Sequence, residues 1–179
     1  MKKFVLAGVA AAALFAIPAA ANAQAFVQAE TGIDVVSAEG ESKANIGYGG
    51  SVGYDMPLSG GLFVGVQATY SDSETKRCES SEGDKVCLEA GRDVAALARL
   101  GTQMGEQGKL YLFGGYANAR AELTYSNVTA HTDLDGFRVG AGYQYDINEK
   151  FFVKAEYRYS NYEADVSRHN GVIAVGAKF

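Results

Sequence analysis

The fold of this chain is decided by a stretch in which two kinds of side chain alternate, Phe137-Arg-Val-Gly-Ala-Gly-Tyr-Gln-Tyr-Asp-Ile147. Its odd-numbered positions are apolar or aromatic, and its even-numbered positions are polar or glycine. Successive side chains of a β-strand point to opposite faces, so this period of two predicts a strand with one apolar and one polar face.

The same alternation recurs along the chain, and no stretch beyond residue 23 shows the 3.6-residue apolar period of an amphipathic helix. Eight strands are predicted, at residues 27–35, 45–55, 62–70, 93–101, 111–123, 137–147, 153–160 and 172–179. In the fifth of them Tyr111 and Phe113 are assigned to the apolar face, although Leu112 and Tyr116 on the other face are also apolar. We therefore predict an all-β chain that forms an eight-stranded antiparallel up-and-down barrel.

The polar faces of these strands carry charges of both signs. Their five acids and six bases are Glu30, Asp34, Asp93, Arg99, Arg120, Glu122, Arg138, Lys154, Glu156, Arg158 and Lys178. An eight-stranded barrel has an interior just wide enough to be filled by side chains, so these residues are predicted to form an ionic network inside it. The apolar faces then point outward to lipid, and strands of about ten residues are long enough to cross an outer membrane at a tilt.

The connections between the strands are of two lengths. The short ones lie at residues 57–60, 105–108 and 148–150, and the long polar ones at 37–44, 71–87, 124–134 and 161–167. Short turns on one side and long loops on the other are typical of bacterial outer-membrane barrels, with the short turns in the periplasm. This layout predicts two aromatic girdles: Phe26, Tyr54, Tyr111, Tyr145, Phe151 and Phe179 at the periplasmic rim, and Tyr48, Tyr70, Tyr125, Phe137 and Tyr159 at the outer rim.

The first 23 residues have the pattern of a cleavable signal peptide. Lys2 and Lys3 precede an apolar run over 4–17, and Ala21-Asn22-Ala23 supplies the small residues Ala21 and Ala23 of a cleavage site. The alternative of a retained anchor is disfavoured because the run of 14 residues is shorter than the ~18 to 20 that span a bilayer. We expect a barrel domain over 24–179, with a formal charge of −7 against −5 for the whole chain, because the removed segment holds two lysines and no acid.

The chain has two cysteines, Cys78 and Cys87, which lie in a very polar stretch. In an exported protein this pair most simply forms a disulfide that closes a loop, worth about 2 to 4 kcal/mol against the unfolded chain. A metal or redox role is the alternative, although the spacing is not CxxC and neither histidine is close in sequence.

Composition excludes several classes of protein. The acidic balance argues against a nucleic-acid-binding domain, which normally carries a basic face. A mean hydropathy of −0.08 excludes a bundle of transmembrane helices. No cofactor and no metal site are expected from the sequence.

These features together resemble the small OmpA/OmpX-type or opacity-type outer-membrane β-barrels of Gram-negative bacteria, over essentially all of residues 24–179. The glycine-rich stretches Val139-Gly-Ala-Gly-Tyr143 and Phe113-Gly-Gly-Tyr116 and the closing strand 171–179 carry the resemblance. The resemblance implies that Ile173, Val175, Ala177 and Phe179 form the signal read by the barrel-assembly machinery. It also implies a monomer in contact with outer-membrane lipid and lipopolysaccharide, with the loops open to an extracellular ligand.

The function that follows is an integral outer-membrane protein that acts as a surface-exposed scaffold for adhesion, host or phage contact, or envelope integrity, with no wide pore. The first alternative is an enzyme acting on lipid A or phospholipid, since Ser167 and His169 lie on one face near the outer end of the last strand, with Glu163 and Asp165 upstream. The second alternative is a secreted lipocalin-like carrier, which would place the charged residues in solvent around an apolar middle.

Overall fold

The computed structural model describes residues 24–38, 41–73, 76–81, 84–125, 128–163 and 166–179. The strands are β1 (Gln24–Ala38), β2 (Glu41–Pro57), β3 (Leu62–Ser73), β4 (Lys76–Ser81), β5 (Asp84–Met104), β6 (Gly108–Tyr125), β7 (Val128–Asp146), β8 (Phe151–Tyr162) and β9 (Val166–Lys178). A short 3-10 turn, Ser59–Gly61, joins β2 to β3. Within the described ranges, no helix has the length and apolar character needed to span a membrane. The segment predicted as a signal peptide, 1–23, lies outside the described residues.

Eight of the strands close into a barrel. Their order is β3-β2-β1-β9-β8-β7-β6-β5, each pair of neighbours is antiparallel, and β3 pairs with β5 to complete the ring. The predicted eight-stranded antiparallel barrel is therefore confirmed. The ninth strand, β4, lies in the region predicted as a loop and forms a hairpin with the beginning of β5.

The two faces of the wall differ as predicted. Val66, Leu100 and Ile173 point outward and are 61%, 58% and 63% exposed, whereas Arg138 and Arg158 point inward and are 1% and 2% exposed. The charged residues thus lie inside the barrel and the apolar residues face outward, which is the arrangement of a membrane barrel and the reverse of a soluble carrier.

The prediction for β6 is wrong, because its two faces are exchanged. Tyr111 and Phe113 point into the barrel and are buried, while Leu112 and Tyr116 are more than half exposed on the outer wall. Arg120 consequently lies on the outer wall instead of in the lumen. The side chain of Glu122 and that of Tyr125 are outside the described part of the chain. Phe26 and Tyr111, which were assigned to the periplasmic girdle, are instead interior residues.

The orientation of β6 follows from how aromatic rings and glycines pair inside the barrel. Five inward rings each lie opposite a glycine of the neighbouring strand, and a Cβ on that glycine would come within 3.0 Å of the ring. The pairs are Phe26 with Gly53, Phe63 with Gly101, Tyr111 with Gly142, Phe113 with Gly140, and Phe152 with Gly176. The glycines therefore provide the room in which the interior rings pack.

The connections at one end of the barrel are tight turns. Gly60 and Gly61, between β2 and β3, and Gly105, between β5 and β6, have φ values of 76°, 77° and 71°, which favour glycine. The turn between β7 and β8 is held by Asn148, whose side-chain oxygen accepts hydrogen bonds from the backbone N–H groups of Lys150 and Phe151, at 2.9 and 2.8 Å.

At the opposite end, one side of the barrel continues far beyond the other. The pairing of β3 with β5 stops at Ser71 and Asp93, but β5 and β6 stay paired as far as Val86 and Tyr125. On the other flank, the pairing of β7 with β8 stops at Gly136, whereas β6 and β7 stay paired as far as Tyr125 and Val128. With β4 added, these strands form a sheet that projects past the barrel, which we call the projecting sheet (β4 and the distal parts of β5, β6 and β7).

Candidate functional site

The lumen is filled by ionic groups in its outer half, and Asp93 of β5 lies at their centre. Its carboxylate accepts hydrogen bonds from Arg138 Nη2 at 2.8 Å, from Arg168 Nη1 at 2.9 Å and from the Tyr162 hydroxyl at 2.5 Å. Asp93 itself has no exposed surface. One carboxylate therefore connects four strands of the barrel, β5, β7, β8 and β9.

Arg168 extends this network to the first strand. Its Nε donates to Asp34 Oδ1 at 2.6 Å, its Nη2 donates to the other oxygen of Asp34, and Asn170 Nδ2 donates to Asp34 Oδ1 at 2.8 Å. Charge-assisted, two-point contacts of this kind are the strong hydrogen bonds of protein interiors. They tie β9 to β1, the last strand of the barrel to the first.

A second cluster surrounds Arg158. Its guanidinium donates to Glu30 at 2.6 and 2.8 Å and to Glu156 at 2.8 and 2.5 Å. Glu30 also accepts from Ser51 at 2.8 Å and from Gln28 at 3.0 Å, and the Tyr111 hydroxyl donates to Glu156 at 2.6 Å. Because both carboxylates accept from Arg158 and from neutral donors, these buried charges are paired and hydrogen-bonded as burial requires.

In the periplasmic half of the lumen, cations contact aromatic rings. The Arg99 guanidinium lies 3.2 Å from Asp55, and its Cζ lies 4.2 Å from the ring centre of Tyr111. Lys154 Nζ lies 3.8 Å from the ring centre of Phe26 and makes no hydrogen bond within the described structure. The negative ring faces partly replace a counter-ion for Lys154 and add to the attraction of Asp55 for Arg99.

The described side chains of the network leave little open space between them. The cavity lined in part by Arg138, Arg158 and Arg168 has a volume of about 20 Å³, which is room for about one water molecule. The packed side chains thus close the lumen to large solutes.

The structure brings most of the residues predicted for the lumen together. Nine of the eleven lie there: Glu30, Asp34, Asp93, Arg99, Arg138, Lys154, Glu156, Arg158 and Lys178. Four further charged residues lie in the lumen, namely Asp55, Lys109, Asp146 and Arg168. The alternation puts Asp55 and Asp146 on polar faces although the predicted network omits them, and Lys109 and Arg168 lie outside the predicted strands. Arg168 has the same even parity as Lys178 and so belongs to the polar face, but β9 begins at Val166, earlier than the predicted strand 172–179.

Arg120 belongs to a charged arc on the outer wall, formed by β5, β6 and β7. Its guanidinium donates to both oxygens of Asp133, at 2.8 and 3.1 Å, and Arg92 lies 3.8 Å from the same carboxylate. The neighbouring Asp135 accepts from the Tyr116 hydroxyl at 2.5 Å and from Asn118 at 2.7 Å. The arc lies just beyond the apolar band, on the side of the long loops.

Ser167 and His169 lie on the outer wall of β9, as the alternation predicts. The His169 ring is held by the Tyr157 hydroxyl, 2.7 Å from Nδ1, and its centre lies 5.0 Å from that of the Tyr159 ring. Among the described contacts, no hydrogen bond joins Ser167 to His169. A nucleophile and its base should lie within hydrogen-bond reach, so this geometry does not assemble a catalytic pair.

Two further groups of predicted residues have defined backbone positions. Ile173, Val175, Ala177 and Phe179 all face outward at the lipid side of the last strand, and Phe179 is 72% exposed. Cys78 and Cys87 are direct partners in the hairpin of β4 and β5. Directly opposed positions of an antiparallel pair have the Cα separation that a disulfide needs.

A closed barrel with an ionic interior and an apolar outer wall defines the class of integral outer-membrane β-barrel proteins. The family model of the outer membrane protein beta-barrel domain matches residues 7–179. The chain belongs to this family and is a protein of the bacterial outer membrane. No curated protein sequence matches the chain.

Solved structures show the same fold. The chain is similar to Ail, the attachment invasion locus protein of Yersinia pestis, in complex with the heparin analogue sucrose octasulfate, with a TM-score of 0.68 and 16% identity over 88% of this chain and 99% of that one. The match to Neisserial surface protein A has a TM-score of 0.64 and 19% identity, and it covers 87% of this chain and 97% of that one. The match to the N-terminal barrel domain of Pseudomonas aeruginosa OprF has a TM-score of 0.52 and 16% identity, and it covers 85% of this chain and 97% of that one.

Proposed function

We propose that this protein is a non-enzymatic scaffold that presents the projecting sheet to partners outside the cell. The observation that carries the proposal is the unequal height of the wall, since β5, β6 and β7 have 21, 18 and 19 residues whereas β3 and β8 have 12 each. A barrel needs only about 9 to 11 residues per strand to cross the membrane. The extra length therefore serves contacts beyond the membrane.

The partner is expected to be cationic. The outer segments 37–44, 71–87, 124–134 and 161–167 together contain ten acidic and four basic residues. Ail binds a sulfated, strongly anionic analogue of heparin, but an acidic surface would repel such a ligand. The shared fold thus does not carry the ligand of Ail over to this chain.

The remaining assignments belong to the same proposal. Export would remove residues 1–23, and the outward row Ile173, Val175, Ala177 and Phe179 would be read by the assembly machinery before insertion as a monomer. A disulfide between Cys78 and Cys87 would cross-link β4 to β5. Its expected effect is resistance of the hairpin to proteolysis, measured by digestion of the folded protein before and after reduction.

The experiment replaces residues 74–91 by a short Gly-Ser turn. Bacteria that express the wild-type protein and bacteria that express the variant are then compared for adherence to epithelial monolayers. The purified barrels are tested on sensor surfaces carrying a lysine-rich peptide or heparin. We expect adherence and binding to the lysine-rich peptide to fall in the variant, with little binding to heparin by either protein. The matched control places the same Gly-Ser turn at residues 58–61, on the periplasmic side.

Unchanged adherence of a variant that still shows heat-modifiable gel mobility would contradict the scaffold proposal. Large current steps of the wild-type protein in planar bilayers would contradict the closed lumen. The enzyme alternative predicts that Ser167→Ala or His169→Ala changes the lipid A pattern seen by mass spectrometry, and we expect no change.

A further inference from the structure

Two cations in the periplasmic half of the lumen have donors without partners. Within the described structure, the three guanidinium nitrogens of Arg99 and the ammonium of Lys154 make no hydrogen bond, although both side chains are almost fully buried. Arg99 Nη1 lies 3.2 Å from Asp55 Oδ1, but this oxygen accepts no hydrogen bond, so the guanidinium is not aligned with the carboxylate. The amide oxygens of Gln28 and Gln67 also lack partners, but they carry no charge. Buried donors nearly always bind a protein group, an ordered water or an ion, so the two cations indicate a ligand.

The charges of the described interior do not balance. It holds seven cations, Arg99, Lys109, Arg138, Lys154, Arg158, Arg168 and Lys178, and six carboxylates, Glu30, Asp34, Asp55, Asp93, Asp146 and Glu156. Every one of these carboxylates except Asp55 accepts a hydrogen bond from Arg138, Arg158, Arg168 or Lys178. Arg99, Lys109 and Lys154 therefore share Asp55, and Lys109 donates to Gln24 at 3.0 Å. Because buried charges are normally paired, an additional negative charge is expected near Arg99 and Lys154.

The surroundings of these two cations suit an anion of a single atom. Arg99 Cζ lies 4.8 Å from the ring centre of Phe26 and 4.2 Å from that of Tyr111. Lys154 Nζ lies 3.8 and 5.8 Å from the same two ring centres, so both cations reach the same part of the lumen. Since rings pack against both cations, a single-atom ion fits between them more readily than a phosphate or a sulfate.

We propose that Arg99 and Lys154 bind one chloride ion in the periplasmic half of the lumen. The ion accepts hydrogen bonds from N–H groups of both side chains and supplies the additional negative charge. The ionic network around Asp93 and Arg158 fills the outer half, so chloride enters from the periplasmic end, past Lys109. Bound chloride stabilises the folded barrel, because it binds the folded chain and not the unfolded one. This inference does not depend on the projecting sheet.

The test is urea unfolding of the full barrel in detergent, with chloride exchanged for gluconate at constant ionic strength. Screening of the lumen charges then stays the same, and gluconate is too large for the site. A ligand that binds only the folded state multiplies the folding equilibrium constant by 1 + [L]/Kd. Above the dissociation constant, tenfold more chloride should therefore raise the folding equilibrium constant of the wild type about tenfold, as one bound ion requires.

Lys154→Met is the variant that removes the site. We expect its folding equilibrium constant to be independent of chloride. In gluconate it should be at least as stable as the wild type, which separates loss of binding from a folding defect. Arg120→Met, which removes one cation from the outer wall, is the matched control for net charge and should keep the chloride dependence of the wild type.

The position of the ion is tested by diffraction from crystals of the wild-type barrel grown in bromide, which replaces chloride and scatters anomalously. We expect an anomalous peak in contact with both Arg99 and Lys154. A wild type that does not respond to chloride would overturn the inference, because water or an uncharged Lys154 would then satisfy the site. An unchanged chloride response in Lys154→Met, an equal loss of response in Arg120→Met, or a bromide peak only elsewhere would also overturn it.

Discussion

Asp93 and Asp133 both bind arginine, but the contact should contribute more to stability in the lumen than on the outer wall. Each carboxylate receives two hydrogen bonds from one arginine, but Asp93 is fully buried and Asp133 is 48% exposed. Asp93→Ala removes the carboxylate that Arg138 and Arg168 share and leaves the buried Arg138 with neutral acceptors such as Ser160, so it should lower the free energy of unfolding by about 3–5 kcal/mol. Asp133→Ala should change it by about 1 kcal/mol or less. Urea titration in detergent, followed by circular dichroism, measures both, and equal effects would contradict the assignment of Asp93 to the buried network.

Lys154 and Arg158 lie in the same strand and point into the same lumen, yet their surroundings differ. Arg158 is bonded to two carboxylates, whereas the Lys154 ammonium contacts ring faces and has no hydrogen-bond partner in the described structure. Removing a charge that is buried without an ionic partner removes a desolvation cost, so Lys154→Met should leave the free energy of unfolding unchanged or raise it.

The matched variant Arg158→Met leaves Glu30 and Glu156 unpaired and should lower the free energy of unfolding by about 3–5 kcal/mol. The same urea titration compares the two. A large loss of stability in Lys154→Met would mean that its contacts with Phe26 and Phe152 stabilise the barrel far more than cation–π contacts usually do.

Among the elements, β6 shows where the sequence stops being informative. Both faces of this strand are apolar around Tyr111 and Leu112, near its beginning, so alternation alone does not tell which of these two residues is inside. The neighbouring strand β7 determines the orientation, because its Gly140 and Gly142 lie opposite Phe113 and Tyr111 and leave room for their rings. The other seven strands of the barrel could be oriented from sequence, because each has a face that carries charge or glycine and a face that is apolar.

This pairing of ring and glycine makes a prediction for β7. Gly140→Ala places a methyl group within 3.0 Å of both the Phe113 ring and the backbone oxygen of Tyr157, and it should destabilise the barrel by about 1–3 kcal/mol, as overpacking does. Gly114→Ala is the matched control, because the new methyl group would meet only ordinary contacts, with Val139 Cγ1 at 3.5 Å and Arg138 O at 3.7 Å. The double variant Gly140→Ala with Phe113→Leu should recover part of the loss. Equal unfolding midpoints for the two single variants would show that the rings do not need the glycines.

The two ends of the barrel differ in their connections. Tight turns close one end, and long connections together with the projecting sheet extend from the other. In outer-membrane barrels the short turns lie in the periplasm. Ser59, in the turn between β2 and β3, and Glu163, in the connection between β8 and β9, are both exposed and lie at opposite ends. A cysteine at each position therefore reports which end faces the outside of the cell.

We expect Glu163→Cys to react with a membrane-impermeant maleimide on intact cells, and Ser59→Cys to react only after the outer membrane is permeabilised. The native pair Cys78 and Cys87 is replaced by serine in both variants, so that each protein has one thiol. The charges support this orientation, because the acid-rich long connections would then lie outside and the closed ionic lumen would separate them from the periplasm. Labelling of Ser59→Cys on intact cells would place the projecting sheet in the periplasm and contradict every surface role argued from it.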